Sequence, residues 1–97
     1  MPAGAYYRGG NSLKPKAGEV KVDSATGLLK TTRGVSIFNR PDGLERFGGA
    51  YQVLDVPEDV RIVQRGRDPS HFEIVPARPM TMAEYESALE QIVMVPV

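Results

Sequence analysis

The chain has 97 residues, of which 41% are hydrophobic and 25% are charged, and its formal net charge is zero at pH 7. This length suits one globular domain with a modest core, and we expect residues 1–97 to form a single domain. The absence of cysteine excludes disulfides and thiolate chemistry, and a single histidine argues against an ordinary zinc site. No apolar run approaches the roughly 20 residues that span a bilayer, and residues 1–10 lack the apolar segment of a signal peptide, so we expect no membrane partner.

The neutral total conceals a difference between the two halves of the chain. Residues 1–40 carry seven basic and two acidic residues, a net charge of +5, whereas residues 41–97 carry five basic and ten acidic residues, a net charge of −5. A basic half of this kind can attract a phosphate-bearing ligand, RNA or an acidic protein. The basic residues are scattered along the chain, so the two halves can equally complement each other within one fold.

Short runs of β-branched, aromatic and aliphatic residues alternate with turn signals over most of the chain, which predicts a protein built mainly from strands. Turns are expected at residues 23–27 and 41–43, and residues 44–47 have room for one helical turn at most. The predicted strands cover residues 5–8, 19–22, 28–38 with a break at 31–34, 51–54, 60–65 and 71–75.

The last predicted element is an amphipathic helix. Thr81 and Glu84 have the spacing of a capping box, in which each side chain bonds the other residue's backbone amide. The helix has a predicted length of about three and a half turns and packs on the sheet, with Met82 and Tyr85 in the core. Strands followed by one such helix define an α+β fold. The apolar face of the helix is predicted to comprise Met82, Tyr85, Leu89, Ile92 and Val93.

His71 and Glu73 are the first candidates for chemistry. On a strand they project from one face while Phe72 enters the other, so an imidazole and a carboxylate stand side by side. Such a pair can move a proton or bind the hydroxyls of a ribose. The alternative is a solvated sheet face with a weak ion pair.

A second candidate is the stretch around Arg8, which follows Tyr7 and precedes Gly9. A glycine lets backbone amides approach a ligand closely, and a fixed guanidinium can bind a phosphate or a carboxylate through two hydrogen bonds. Taken alone, this stretch also suits an ordinary strand that ends in a tight turn.

The third candidate begins at Arg33 and Gly34, which precede a short strand. In that strand Ser36 projects from the face opposite its aliphatic neighbours. Residues 34–38 begin like the nucleophile elbow of a hydrolase, but position 38 is phenylalanine where the elbow has its closing glycine. An ordinary strand is the alternative here too.

Taken together, these stretches resemble one protein family. They are Tyr7-Arg8, residues 35–40 (Val-Ser-Ile-Phe-Asn-Arg) and residues 71–80 (His-Phe-Glu-Ile-Val-Pro-Ala-Arg-Pro-Met). In them the chain is similar to the small bacterial toxins typified by type VI secretion exported effector two. The resemblance implies a compact sheet core, mixed or antiparallel, of the ADP-ribosyltransferase-like type. Enzymes of that type cleave NAD and transfer its ADP-ribose to a target.

The resemblance also implies roles for individual residues. Arg8 matches the first-strand arginine near the dinucleotide, Ser36 matches the strand that lines the NAD cleft, and His71 matches a histidine on which toxicity depends. Glu73 is the candidate for the glutamate that bonds the nicotinamide ribose and steadies the oxocarbenium-like centre. The strand that carries Glu73 lacks the Glu-x-Glu pair that toxins modifying arginine often use. We predict catalytic roles for Ser36, His71 and Glu73, and NAD-binding roles for Tyr7, Arg8, Gly9, Arg33 and Gly34.

These residues predict a toxin that uses NAD as its substrate, by ADP-ribosyl transfer or by NAD hydrolysis. The resemblance places it in the cytoplasm of its own cell while neutralised, or of a target cell after secretion. It also implies a cognate antitoxin or immunity protein as partner, besides a protein or nucleic-acid target. Two alternatives stay open: a small toxin ribonuclease with His71 and Glu73 as acid and base, and a non-catalytic toxin module that binds a partner.

Overall fold

A computed structural model describes residues 5–97, so the first four residues of the predicted domain lie outside the description. It contains short 3-10 helices at Ala17–Glu19 and Glu45–Phe47, the second of which confirms the predicted single turn. The strands are β1 (Tyr6–Gly9), β2 (Val35–Phe38), β3 (Ala50–Leu54), β4 (Val60–Gln64), β5 (His71–Pro76) and β6 (Val93–Pro96), and the helix is α1 (Met82–Glu90).

All six strands form one sheet in the order β4-β5-β2-β1-β3-β6, and every neighbouring pair is antiparallel. The sheet and its single helix confirm the α+β class. Strands β2 and β5 pair over four residues, with Ser36 opposite Glu73 and Phe38 opposite His71. Strands β1 and β2, by contrast, are in register only at Tyr7 and Phe38. Strand β2 therefore pairs more extensively with β5 than with β1.

The core lies on the face of the sheet that α1 covers. Val35, Ile37 and Ile74 are fully buried there, as is Tyr85 of α1. Because side chains alternate along a strand, Ser36 and Glu73 project from the opposite face. The predicted alternation in the strands that became β2 and β5 is thus confirmed, and it places polar side chains together on the face away from the helix.

The end of the predicted helix is wrong. Helix α1 stops at Glu90, and Val93 begins β6, which pairs with β3 and was not predicted. Val93 is 46% exposed, and Met82 is 37% exposed, so neither belongs to the core. Met82 is the first residue of α1, and helical side chains tilt toward the N-terminus, which carries this one beyond the packed turns. The capping box and the burial of Tyr85 are confirmed.

The predicted strand at residues 19–22 is also wrong. Glu19 ends a 3-10 helix whose turn its own carboxylate closes by accepting the Lys16 amide, and Val22 makes only an isolated bridge to Leu29. Within the predicted strand at residues 28–38, only Val35–Phe38 is a regular strand. Leu29 instead bridges Val22 and Met80. The remaining predicted strands agree with β1, β3, β4 and β5 to within one residue at each end.

The Tyr85 hydroxyl joins β2 to β5 from inside the core. It donates to the Ile74 carbonyl at 2.6 Å and accepts from the Val35 amide at 3.0 Å. Tyr85→Phe removes both hydrogen bonds, and we expect it to lower the free energy of unfolding at pH 7 by about 2–4 kcal/mol, because two buried backbone groups each lose a hydrogen bond. Denaturant titration measures the change. Tyr51→Phe, in a half-buried position on β3, is the control and is expected to cost less than about 0.5 kcal/mol.

The same hydroxyl gives the stability a pH dependence. Burial raises the pKa of Tyr85 from 10.0 to about 12. Since the neutral form is favoured in the folded state, this stabilisation is complete below pH 10 and is lost as the pH rises toward about 12. The wild type should show this alkaline loss and Tyr85→Phe should not. Equal alkaline losses, or equal costs of the two phenylalanine variants, would contradict the assigned role.

Candidate active site

Three of the predicted site residues form an array on the face away from the helix. The Ser36 hydroxyl lies 3.2 Å from His71 Nε2, and Glu73 Oε2 lies 3.9 Å from the same nitrogen. The register of β2 and β5 causes this arrangement, because Ser36 and Glu73 are directly opposite and His71 follows two residues away on the same face. We call Ser36, His71 and Glu73 the polar array.

The bonds of His71 fix its neutral tautomer. Nδ1 lies 3.0 Å from the Arg65 carbonyl, which can only accept, so Nδ1 carries the proton. Nε2 of the neutral ring then has a free lone pair and accepts the Ser36 hydroxyl proton. The His71 side chain is 26% exposed, so a ligand can reach it from solvent. A hydroxyl, an oriented base and an accessible surface are the ingredients of proton transfer at a bound substrate.

The Glu73 carboxylate is buried beneath this surface, with a side chain only 4% exposed. Its Oε1 accepts the Gly34 amide at 3.0 Å and lies 3.4 Å from Arg33 Nε. Its Oε2 faces His71. A charge buried this deeply needs partners, and these contacts provide them. The arrangement holds a negative charge directly behind the imidazole, where it can stabilise positive charge.

Arg33 is the cation of this site. Its side chain is 38% exposed, and Nη2 contacts the Gly18 carbonyl at 3.5 Å. The contact of Nε with Glu73 has the distance of an ion pair without hydrogen-bond geometry, so within residues 5–97 this buried Nε has no hydrogen-bond partner. The Arg33 side chain is therefore partly exposed and lies next to the array, as an anionic ligand would require.

The structure does not bring Arg8 into the polar array. By strand alternation Arg8 shares the face of Tyr6, a core residue, whereas the hydroxyl of Ser36 is on the other face. The Arg8 side chain is 9% exposed and pairs with Glu19 Oε2 at 3.1 Å. It also donates from Nη1 to the Ser36 carbonyl at 2.7 Å. Its guanidinium therefore bonds groups of the protein itself. It contacts the backbone of β2, the strand of Ser36, but does not reach the face on which the polar array lies.

The neighbours of Arg8 also have structural surroundings. Tyr7 is half-buried and is the single residue of β1 in register with β2. Gly9 lies against the ring of Phe47, because a Cβ added there would come within 2.8 Å of that side chain. Packing against these neighbours accounts for both residues without a ligand.

Burial and hydrogen bonds act in opposite directions on Glu19. Burial alone would raise its pKa, but the amides of Lys16 and Ser36 and the guanidinium of Arg8 outweigh burial and hold the pKa below its ordinary value of 4.5. Glu19 is therefore ionised at neutral pH. Sequence reasoning placed it on a strand and assigned it no role.

Sequence reasoning also missed the aromatic neighbour of the array. The ring centroids of Phe38 and His71 are 5.6 Å apart at an interplanar angle of 58°. A signal for Phe38 was present, since it follows Ser36 by two residues and so shares its face. A cavity of about 180 Å³ adjoins Phe38 and is also lined by Arg40, Arg46 and Ser70. Phe38 thus contacts both this cavity and the imidazole.

No protein-family model, no curated protein and no solved structure matches this chain. Within residues 5–97, no helix has both the length and the apolar content needed to cross a membrane. Across the same residues, no group of three histidine or acidic side chains is placed to hold a metal ion.

Proposed function

We propose that this chain is a toxin of ADP-ribosyltransferase-like fold that cleaves the bond between nicotinamide and ribose in NAD. The observation that carries the proposal is the polar array, in which a hydroxyl, an oriented imidazole and a buried carboxylate lie within 4 Å contacts on adjacent strands. The resemblance of the stretches around Ser36 and His71 to NAD-cleaving toxins supports the same reading.

The reaction requires little nucleophilic power from the protein. The glycosidic bond breaks as nicotinamide leaves with the bonding electron pair, and positive charge develops on the ribose. The fixed negative charge of Glu73 stabilises that charge, and the half-exposed Arg33 is placed to bind the phosphates. The Ser36 hydroxyl holds a ribose hydroxyl, which restricts the sugar to a reactive orientation and leaves the lone pair of His71 Nε2 for proton transfer.

A second step completes the reaction. Water or a hydroxyl of a target attacks the ribose carbon from which nicotinamide has departed. The lone pair on His71 Nε2 takes the proton of the attacking group, so the ring becomes imidazolium and the product carries a new carbon–oxygen bond. Water gives free ADP-ribose, and a target nucleophile gives an ADP-ribosylated product. As a toxin, the chain would act in the cytoplasm and bind a neutralising partner protein.

Nicotinamide release tests the proposal. The purified chain is incubated with NAD alone and with NAD plus a cell lysate, and nicotinamide and ADP-ribose adducts are measured by chromatography and mass spectrometry. We expect nicotinamide release above the uncatalysed rate, with adducts only in the lysate if the acceptor is a macromolecule. A folded chain that is toxic when expressed, yet releases no nicotinamide in either mixture, would contradict NAD cleavage.

RNA cleavage is the second candidate, and Phe38 favours it. An aromatic ring beside an imidazole offers a surface on which a base can stack, and Arg40 lines the adjoining cavity. His71 would then take the proton of the ribose 2′-hydroxyl and return it to the leaving oxygen, with the Glu73 carboxylate stabilising the imidazolium between the two steps. Digestion of RNA in buffer without NAD distinguishes this reaction from the first, because NAD cleavage leaves RNA length unchanged.

A further inference from the structure

The gap between β1 and β2 is filled by side chains where a sheet normally has backbone bonds. The two strands meet at Tyr7 and Phe38, and continuing that register would place Gly9 opposite Ser36. Instead, both backbone groups of Ser36 bond to side chains: its amide donates to Glu19 Oε2 at 3.1 Å, and its carbonyl accepts from Arg8 Nη1 at 2.7 Å. The Arg8–Glu19 ion pair thus supplies the hydrogen bonds that the backbone of β1 would otherwise give to Ser36.

The N-terminal strap, residues 10–20, delivers the carboxylate to this gap. The Ser12 carbonyl accepts from Arg8 Nε at 3.1 Å, and the Lys16 amide donates to Glu19 Oε1 at 3.0 Å. Leu13 is 7% exposed and anchors the strap in the core. The Glu19 side chain is itself only 15% exposed. The strap therefore holds the negative charge of Glu19 against two donors of the sheet, the Arg8 guanidinium and the Ser36 amide.

These two donors are the kind that bind oxyanions. A guanidinium combined with a backbone N–H gives charge-assisted hydrogen bonds to a phosphate or a carboxylate. Removal of the Glu19 carboxylate would leave the Ser36 amide without its acceptor and the Arg8 guanidinium, which keeps its bonds to the Ser12 and Ser36 carbonyls, without an anionic partner in a largely buried gap. An unpaired charge and an unbonded amide are both unfavourable there. An external anion of suitable size would then satisfy the same donors.

We infer that the gap between β1 and β2 is an oxyanion site for a phosphate group, and that the strap keeps it closed by placing Glu19 there as an internal competitor. The inference rests on the proposed function only in naming phosphate as the anion. Ser36 belongs both to the gap, through its backbone, and to the polar array, through its hydroxyl. Displacement of the strap would consequently open the array's own strand to a diphosphate. The low pKa of Glu19 keeps the competitor charged at neutral pH.

Inorganic pyrophosphate is the probe for this site. Glu19→Gln removes the competing charge, and we expect it to bind pyrophosphate about tenfold more tightly than the wild type or better, since a hydrogen bond to a charged group is worth that much. Isothermal titration calorimetry gives the Kd, and the rise of the unfolding temperature with pyrophosphate confirms binding to the folded state. Glu58→Gln changes the net charge equally at an exposed turn, and it should bind like the wild type.

A second pair of variants loosens the strap while both buried charges remain. Lys16→Pro removes the amide that bonds Glu19 Oε1, and Lys16 already has an extended backbone with a φ of −87°. Lys16→Ala loses the same positive charge but keeps the amide. We expect Lys16→Pro to bind pyrophosphate about twofold to tenfold more tightly than Lys16→Ala. If Glu19→Gln does not fold, this pair of variants tests whether the strap keeps the oxyanion site closed.

The outcomes separate this inference from the proposed function. Tighter pyrophosphate binding by Glu19→Gln supports the closed oxyanion site even if no variant releases nicotinamide. If Glu19→Gln binds pyrophosphate no better than Glu58→Gln, the inference is overturned, even if the wild type releases nicotinamide. Equal affinities of Lys16→Pro and Lys16→Ala would overturn it in the same way.

Discussion

His71→Ala is expected to lower the rate of NAD cleavage by about 10²- to 10⁴-fold, the usual contribution of a positioned general base. The variant removes the base in contact with the Ser36 hydroxyl and exposes the Glu73 carboxylate that lies behind the ring. The side chain is partly exposed and is absent from the core cluster, so the fold should persist. Nicotinamide release at saturating NAD measures the loss, and the thermal unfolding midpoint verifies folding.

Two variants control this experiment. His71→Asn keeps a donor for the Arg65 carbonyl but has no basic nitrogen, so it should lose as much activity as His71→Ala. Arg78→Ala breaks an exposed ion pair with Asp59 elsewhere on the surface and should retain activity within about twofold. Full activity in a folded His71→Ala protein would remove the imidazole from the reaction. Recovery of activity in His71→Asn would assign it a positioning role only.

Gly34→Ala is expected to destabilise the fold by about 3 kcal/mol or more. An added Cβ would collide with the backbone of Ile74, whose carbonyl carbon lies 2.6 Å away and whose carbonyl oxygen lies closer still, and it would come within 2.9 Å of the Tyr85 hydroxyl. Backbone atoms within a sheet cannot move aside without breaking the pairing of β2 with β5. The shift in the denaturant midpoint measures the loss.

Gly18→Ala is the matched control for this variant. A Cβ at Gly18 meets no atom within 4 Å, so the substitution should change the free energy of unfolding by less than about 1 kcal/mol. Equal stability of the two variants would show that β2 and β5 can separate at Gly34. The close approach of the Ile74 backbone therefore explains why position 34 is glycine. The Gly34 amide in addition donates a hydrogen bond to the Glu73 carboxylate.

The strand face of each side chain in the array could be predicted from the sequence because it depends on local strand geometry. A period of two places His71 and Glu73 on one face, and the same rule separates Ser36 from its aliphatic neighbours. The capping box at Thr81 likewise depends on residues only three apart. The pairing of β2 with β5, which brings the serine to the histidine, required in addition the order of strands in the sheet.

The features that sequence reasoning missed depend on contacts between distant segments. Arg8 and Glu19 meet because β1 and β2 part after a single register pair, and no local pattern encodes that gap. The helical spacing predicts that Val93 continues the helix, whereas pairing with β3 makes Val93 the first residue of β6. Glu19 alternates with apolar residues like a strand residue, yet its carboxylate closes a 3-10 turn.

NAD binding at the polar array, as we propose it, is tested most directly by the nuclear magnetic resonance signals of the imidazole. His71 is the only histidine, so its ring nitrogens can be assigned without ambiguity in a long-range proton–nitrogen spectrum of labelled protein. With NAD added to saturation, we predict a shift of the Nε2 signal, while Nδ1 stays protonated toward the Arg65 carbonyl. Ring signals that do not move at any NAD concentration would contradict the claim.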